Sequence, residues 1–96
     1  MIIYKITNII NNKIYIGQTI KTVEQRFKQH SVAKSLIGSA IRKFGIENFK
    51  VEIIEKCTSR EHLNEREKFW IAHFNCKFPN GYNCTDGGTG KFPRKR

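Results

Sequence analysis

MIIYKITNIINNKIYIG, residues 1–17, decides the fold of this chain. Residues 2–7 alternate between two sets of side chains, and a second alternating run covers residues 13–17. A period of two is typical of β-strands. The segment between the runs, residues 8–12, contains three asparagines, which tolerate the positive φ of a tight turn. The stretch therefore predicts a β-hairpin with a turn of about four or five residues.

The pattern changes from strands to helices after the hairpin. Thr22 and Gln25 have the spacing of a capping box, which predicts a helix through about Lys34. A second, shorter helix is predicted from Ser35 to Phe44, and Gly45 would end it as a left-handed cap.

The second half of the chain repeats this order of strand and helix. Phe49–Glu55 is predicted to form a third strand, and Thr58 with Glu61 predicts the start of a helix that runs to about Phe74. Residues 75–96 contain both prolines and end in a basic stretch, which favours a loop and a frayed tail. We expect an α+β fold, a small three-stranded antiparallel sheet flanked by about three helices.

Length, hydropathy and cysteine content limit the class of protein. A chain of 96 residues and 11.2 kDa accommodates one domain. No apolar run is long enough to cross a membrane, and the N-terminus lacks the layout of a signal peptide, so we expect a soluble intracellular protein with no membrane partner. Three cysteines cannot all pair, and we expect them to be reduced.

The charge is strongly positive and unevenly distributed. Eighteen Lys and Arg against eight Asp and Glu give a net charge of +10. Residues 1–46 carry eight basic residues and one acidic residue, whereas residues 47–75 carry five basic and six acidic ones. This excess favours a polyanionic partner such as nucleic acid, although solubility alone also accounts for a basic bias.

An acidic side chain lies on the apolar face of the last predicted helix. At 100° per residue, Leu63, Trp70, Ile71 and Phe74 form one stripe, and Glu67 falls inside it. A charge there costs free energy unless it is paired, hydrogen-bonded or bound to a metal ion. Glu67 therefore predicts either a buried ion pair with an inward arginine or a metal site. A single carboxylate suits Mg²⁺, which keeps several waters.

Two cationic or titratable side chains lie beside the apolar residues of the first helix. Arg26 and His30 are four residues apart and flank Val23 and Phe27 on one face. Arginine suits bidentate phosphate recognition, and histidine exchanges a proton near neutral pH. A hydrogen-bonded, half-buried histidine is the alternative interpretation of His30.

The hairpin and the C-terminal loop add further candidates. Tyr4 and Tyr15 lie in adjacent strands and share a surface if the register pairs them, although cross-strand packing also explains them. Gly17 leaves room for a backbone or a phosphate to approach closely. Tyr82 and Asn83 follow Gly81 in the loop, where asparagine is ordinary. A zinc set without paired Cys-x2-Cys spacing is the weaker alternative; its members would be Cys57, His73, Cys76 and Cys84.

Five short stretches follow one another in a characteristic order: IIY at 2–4, YIG at 15–17, EQRFKQH at 24–30, EREKFWI at 65–71 and NGYN at 80–83. Together they resemble the GIY-YIG nuclease domain, and in particular the catalytic domains of phage and intron homing endonucleases. The resemblance covers residues 1–88 and leaves 89–96 as a basic tail or the start of a linker. Ile2 replaces the leading glycine of the first motif, from which we expect altered packing at that edge and retained chemistry.

The resemblance implies roles for six residues at one catalytic site. These are Tyr4, with Tyr15 beside it, to deprotonate or position the attacking water; Arg26 to bind the scissile phosphate; His30 to assist proton transfer; Glu67 to hold the metal ion; and Asn83 to brace the site or contact the phosphate.

The expected function is that of a divalent-metal-dependent DNA endonuclease that hydrolyses phosphodiester bonds in double-stranded DNA with Mg²⁺, for which Mn²⁺ can substitute. Five residues would track the DNA backbone, namely Lys13, Gly17, Lys21, Arg42 and Lys43. Sequence specificity would require a targeting domain or partner outside this chain, and the oligomeric state stays open. The alternatives are a non-catalytic DNA-binding module with the same fold and a structural domain with a buried Glu67–Arg26 pair.

Overall fold

A computed structural model of the protein describes residues 1–84 as three strands and three α-helices. In chain order they are β1 (Ile2–Asn8), β2 (Ile14–Thr19), α1 (Val23–Val32), α2 (Leu36–Phe44), a short 3-10 helix (Ile46–Asn48), β3 (Phe49–Lys56) and α3 (Arg60–Phe74). The strands form one antiparallel sheet in the order β2-β1-β3. The predicted fold class is confirmed. The predicted tail, 89–96, and the end of the predicted 1–88 domain lie outside the described residues.

The turn of the hairpin depends on its asparagines, as the sequence predicts. Asn12 adopts a positive φ of 64°. The Asn8 side chain accepts a hydrogen bond from the backbone N–H of Ile10 at 2.9 Å, and the Asn8 N–H donates to the carbonyl of Lys13 at 2.9 Å. The second strand runs to Thr19, two residues beyond the predicted end at Gly17, because the ladder with β1 continues to Ile2.

The break between α1 and α2 is marked by two caps and a close approach at Gly38. Thr22 caps α1 as predicted and accepts from the Gln25 N–H at 3.2 Å. The helix ends at Val32 rather than at about Lys34, and Ser35 caps α2 through the N–H of Gly38 at 3.1 Å. A side chain at Gly38 would collide with the backbone at the end of α1. Glycine is therefore required at this position, where α2 passes close to the end of α1.

Two predicted helix boundaries differ from the structure. Gly45 has φ 93° and ψ 134°, so it uses the freedom of glycine at positive φ but lies outside the left-handed helical region. The cap of α3 is Ser59, whose hydroxyl accepts from the His62 N–H at 3.1 Å, and the predicted capping box of Thr58 with Glu61 is wrong by one residue. Both residues are hydroxyl-bearing, and only the backbone conformation distinguishes them.

The sheet lies between two helical layers because its strands alternate. On one face, buried Tyr4 and Ile6 pack against α1 and α2, with Ile37 and Ile41 at the centre of the contact. On the other face, Ile3 and Ile16 pack against α3; that layer also contains Leu63, Ile71, Cys57 and Cys76. Each buried aliphatic side chain stabilises the fold by about 1.5–3 kcal/mol. None of the helices within residues 1–84 is long and apolar enough to span a membrane.

The outer edge of β2 is covered by the loop after α3. The N–H of Tyr82 donates to the carbonyl of Ile14 at 2.9 Å, and the side-chain amide of Asn83 pairs with the backbone of Ile16. An edge strand with unpaired backbone groups invites further pairing. The loop therefore satisfies this edge and continues the wall of the cavity described next.

Candidate active site

A cavity of about 720 Å³ opens beside the edge strand β2, between α1 and α3. Its polar wall brings together side chains from β2, α1, α3 and the loop between β2 and α1; they include Tyr15, Gln18, Lys21, Arg26, His30 and Glu67. Four of these, Tyr15, Arg26, His30 and Glu67, were predicted as catalytic residues, and Lys21 was predicted as a DNA contact. The convergence follows from the fold, because α1 and α3 both direct polar side chains toward β2: Arg26 and His30 from α1, and Glu67 from α3.

Tyr4 lies behind this wall. It is 0% exposed, and a 2.6 Å hydrogen bond joins its Oη to Nε2 of His30. The rings of Tyr4, Tyr15 and His30 form a cluster with centroid separations of 4.9 to 6.3 Å. Tyr4 is registered with Gly17 and not with Tyr15 directly. The two tyrosines still share one face of the sheet, because Gly17 and Tyr15 are two residues apart on β2. Tyr4 therefore reaches the cavity through His30.

Gly17 is explained by this cluster. It is buried, and a β-carbon there would collide with the ring and hydroxyl of Tyr4 and with the ring of Tyr15. The sequence predicts that a backbone or a phosphate approaches closely at Gly17; in the structure the side chain of Tyr4 occupies that space. The glycine of the second motif makes room for the tyrosine of the first.

Burial keeps the ring cluster uncharged. Desolvation raises the pKa of Tyr4 far above its ordinary value of 10 and raises the pKa of Tyr15 to about 12; the carboxylate of Glu67 acts in the same direction on Tyr15. Desolvation, with the charge of Arg26, lowers the pKa of His30 to about 4. All three groups are therefore neutral at pH 7. Each offers a hydrogen bond or a proton relay, and neither tyrosine is a charged base.

Arg26 supplies the positive charge of the cavity. It lies about one helical turn before His30 on α1, whose start is capped by Thr22. Nη1 donates to Oε1 of Gln29 at 2.9 Å, which orients the guanidinium along the rim. A planar guanidinium presents five N–H donors and stays charged at any working pH. It therefore suits a phosphate entering the cavity.

Glu67 supplies the carboxylate, and Gln18 holds it. Glu67 is 8% exposed, and its Oε1 accepts from Nε2 of Gln18 at 3.0 Å. Nε2 also donates to Asn64 at 2.9 Å. Gln18 was missed from the sequence, although a signal existed: strand alternation places it on the same face as Ile16, so a polar residue falls where the α3-facing layer is apolar.

The donor set at Glu67 fits a hard divalent cation. The carboxylate lines a cavity with room for a hydrated ion and a phosphate, and Gln18 fixes its orientation. Mg²⁺ is commonly held by one or two carboxylates, waters and phosphate oxygens.

Asn83 is a buried brace. Its Oδ1 accepts from the Ile16 N–H at 2.9 Å and from the Cys76 thiol at 3.1 Å, and its Nδ2 donates to the Ile16 carbonyl at 2.8 Å. The resemblance implied either bracing or phosphate contact, and this geometry favours bracing. Beside it the hydroxyl of Tyr82 accepts from Nδ2 of Asn8 at 3.0 Å, which ties the same loop to the hairpin.

The basic residues predicted to track DNA are distributed unevenly around the cavity. Lys21 is exposed on its wall. Arg42 donates from Nη1 to the carbonyls of Ser31 and Ala33 and so satisfies the end of α1. Lys43 lies over the ring of Phe44, at 5.4 Å from its centroid. Neither Arg42, Lys43 nor the half-buried Lys13 lines the cavity.

The alternative zinc set is not assembled. Cys57 and Cys76 are buried, Cys84 is exposed, and all three carry free thiols. Across residues 1–84, one group of three possible ligands comes together, and it consists of Glu55, Cys57 and His62. This group shares Cys57 with the predicted set and lies outside the cavity.

Comparison with known proteins agrees with the geometry. The GIY-YIG catalytic domain family matches residues 1–83. Intron-associated endonuclease 1 of Enterobacteria phage T4 is 36% identical over 96 aligned positions, which cover 92% of this chain and 38% of the relative. The phage T4 protein segB, a candidate endonuclease by its name, is 40% identical over 87 residues, which cover 91% of this chain and 38% of that protein.

A solved structure has the same arrangement of elements. The catalytic domain of intron endonuclease I-TevI, in a mutant form, superimposes with a TM-score of 0.75 at 34% identity, covering 92% of this chain and 96% of that domain. This chain therefore spans less than half of the full-length phage relatives and nearly all of one relative's catalytic domain.

Proposed function

Because this chain belongs to the GIY-YIG family, we propose that its cavity hydrolyses phosphodiester bonds of double-stranded DNA with the help of a divalent metal ion at Glu67. The carrying observation is the convergence of Tyr15, Arg26, His30 and Glu67 on one cavity beside β2. The names of relatives that cover this chain are endonuclease names, which supports the reaction class.

The opposite charges of the cavity suit a phosphodiester. Arg26 would bind the scissile phosphate and oppose the negative charge that develops on its oxygens. Glu67 would hold Mg²⁺, with Mn²⁺ as a substitute, and the bound ion would supply Lewis acidity and a more acidic water. Gln18 keeps the carboxylate directed toward the cavity through its 3.0 Å hydrogen bond.

The neutral rings would position water and move protons. Tyr15 lines the cavity, so its hydroxyl can orient the attacking water by a hydrogen bond. His30 lines the cavity, and its Nε2 is hydrogen-bonded to the buried Tyr4 hydroxyl at 2.6 Å. A proton taken up by the imidazole would therefore be stabilised by a hydrogen bond to that hydroxyl. With both tyrosines neutral at pH 7, we assign them positioning and relay, and place water activation at the metal ion.

The DNA itself would be held mainly by charge. Lys21 on the cavity wall is the first candidate for a backbone contact, and such contacts weaken as salt rises. The matched relatives are longer than this chain, which supports the expectation that a targeting domain or partner supplies sequence specificity. An intracellular location belongs to the same proposal because DNA is the substrate.

The experiment is conversion of supercoiled plasmid to nicked or linear DNA in Mg²⁺ and in EDTA. Glu67→Gln and Arg26→Ala should each lower the rate by at least about a hundredfold. The exposed Glu65→Gln and Lys28→Ala on the same helices are matched controls and should cut normally. Circular dichroism and unfolding curves check that all four variants fold.

Other outcomes identify the alternatives. DNA binding without cutting in any divalent metal would favour the non-catalytic binding module. Undiminished cutting by Glu67→Gln would remove the carboxylate from the mechanism. A large loss of stability in Glu67→Gln, with cutting changed only in proportion, would favour a structural role for a buried ion pair.

A further inference from the structure

A second cluster of metal-ligating side chains lies where β3 passes into α3. Glu55 is registered with Ile3, which faces α3, and Cys57 follows the strand and is buried in the same layer. His62 lies in the first turn of α3, after the Ser59 cap. One ligand atom from each of the three lies within 4.8 Å of the other two. None of them lines the cavity, so the proposed nuclease chemistry does not use them.

The carboxylate of this cluster is held in place from one side. Its Oε1 accepts from Nε of Arg66 at 2.7 Å and from Nε1 of Trp70 at 2.8 Å. Both bonds end on the same oxygen, and within residues 1–84 no hydrogen bond ends on Oε2. Outer groups that orient a ligand in this way accompany metal sites and raise their affinity.

The chemistry of the donors selects the class of metal. A thiolate, an imidazole and a carboxylate oxygen form a mixed set typical of Zn²⁺ and Co²⁺, whereas Mg²⁺ prefers oxygen alone. One thiolate and one carboxylate would also neutralise the two positive charges of the ion. Three protein ligands leave a fourth tetrahedral position for water.

We propose that Glu55, Cys57 and His62 form a site for a borderline divalent metal ion of the zinc class, separate from the cavity. The ion would join the end of β3 to the start of α3, the helix that also carries Glu67. Because the ligands come from two elements, the ion would bind the folded chain better than the unfolded one and would raise the melting temperature with its concentration.

The test uses the purified chain with Co²⁺ as a spectroscopic probe, in a phosphine reductant. We expect one equivalent of Co²⁺ to give a sulfur-to-cobalt charge-transfer band, displaced by Zn²⁺. Cys57→Ala and His62→Gln should abolish the band. Their matched controls, Cys84→Ala at an exposed thiol and His73→Gln on the same helix, should keep it.

A milder variant tests the orientation of the carboxylate. Trp70→Phe removes one hydrogen bond to Glu55 and keeps all three ligands, so the dissociation constant for Co²⁺ should rise by about 10- to 100-fold. The proposal is overturned by absence of the band in the folded wild-type chain, by its persistence in Cys57→Ala, or by its loss in Cys84→Ala, which would assign the metal to the exposed thiol.

Discussion

The cavity and the β3–α3 junction both contain buried or half-buried polar side chains, and the two regions treat charge in opposite ways. At the cavity, burial lowers the pKa of His30 to about 4 and raises that of Tyr15 to about 12, so both rings are uncharged at pH 7. At the junction, hydrogen bonds from Arg66 and Trp70 outweigh burial and lower the pKa of Glu55, so the carboxylate keeps its charge.

The difference shows which free-energy term decides each site. Desolvation is the largest cause of the pKa shifts in the ring cluster, whereas hydrogen bonding is the largest cause at Glu55, where a guanidinium nitrogen lies at 2.7 Å. Because the ring cluster is neutral, Arg26 and Glu67 supply the charges of the cavity wall that would interact with a charged substrate and its metal ion. At the junction the charge of Glu55 is already paired with that of Arg66 and needs no substrate, which fits a structural role.

The largest loss of stability is expected at Asn83, whose neutral side chain forms hydrogen bonds with the buried backbone of Ile16. Asn83→Ala would leave the N–H and the carbonyl of Ile16 without their partners, and each such group costs about 1–3 kcal/mol. We expect the free energy of unfolding to fall by about 2–4 kcal/mol. Urea unfolding measures it, with the exposed loop residue Asn80→Ala as control. Lost cutting with unchanged stability would instead indicate a phosphate contact at Asn83.

Overpacking the ring cluster at Gly17 should lower the free energy of unfolding slightly less than Asn83→Ala does. In Gly17→Ala the new methyl group meets Tyr4 and Tyr15, and forcing a methyl group into a packed interior costs about 1–3 kcal/mol. If the collision is the cause, the same substitution should cost less in a Tyr4→Phe background, because the phenolic oxygen is one of the atoms met. Equal costs in the two backgrounds would show that strand propensity, and not the cluster, requires the glycine.

The local features of the fold and the anomalous residues of the site could be predicted from the sequence. The hairpin, the Thr22 cap and the boundaries of β3 depend on neighbouring residues. Arg26, His30 and Glu67 stood out because a charge on an apolar helix face has a cost that a helical wheel reveals.

Features that depend on distant contacts could not be predicted in the same way. The two-ended bond of Asn83 to Ile16 joins residues 67 apart in sequence, and the bond of Gln18 to Glu67 joins residues 49 apart. The reason for Gly17 needed the strand register, which places it opposite Tyr4. The choice between Thr58 and Ser59 as the cap depended on backbone angles that neither side chain dictates.

The neutral state of His30 should appear as a pH dependence of stability. Its pKa in the folded chain, about 4, lies below the ordinary 6.5, so between these values the unfolded chain binds more protons and stability falls as pH falls. From pH 7 to pH 5 the loss should be about 2 kcal/mol. His30→Gln should lack this part of the loss, and His73→Gln should keep it. A wild-type loss confined to pH below about 4.5, where carboxyl groups titrate, would place the effect elsewhere.

The smallest effect is expected at the junction, where the charged pair is partly exposed. The side chains of Arg66 and Glu55 are 32% and 23% exposed, and such pairs contribute about 0–1 kcal/mol. In EDTA, Arg66→Met should therefore lower the free energy of unfolding at pH 7 by less than about 1 kcal/mol.

Because the pKa of Glu55 is lowered, the pair stabilises above the ordinary carboxyl pKa, and the difference in stability between the wild type and Arg66→Met should shrink as pH falls below it. Arg66→Met made in a Glu55→Gln background separates the pair from the stacking of Arg66 on Phe69, which lies 4.3 Å away. A coupling as large as the cost of Asn83→Ala would mean that the junction is as strongly desolvated as the cavity, and the contrast between the two regions would fail.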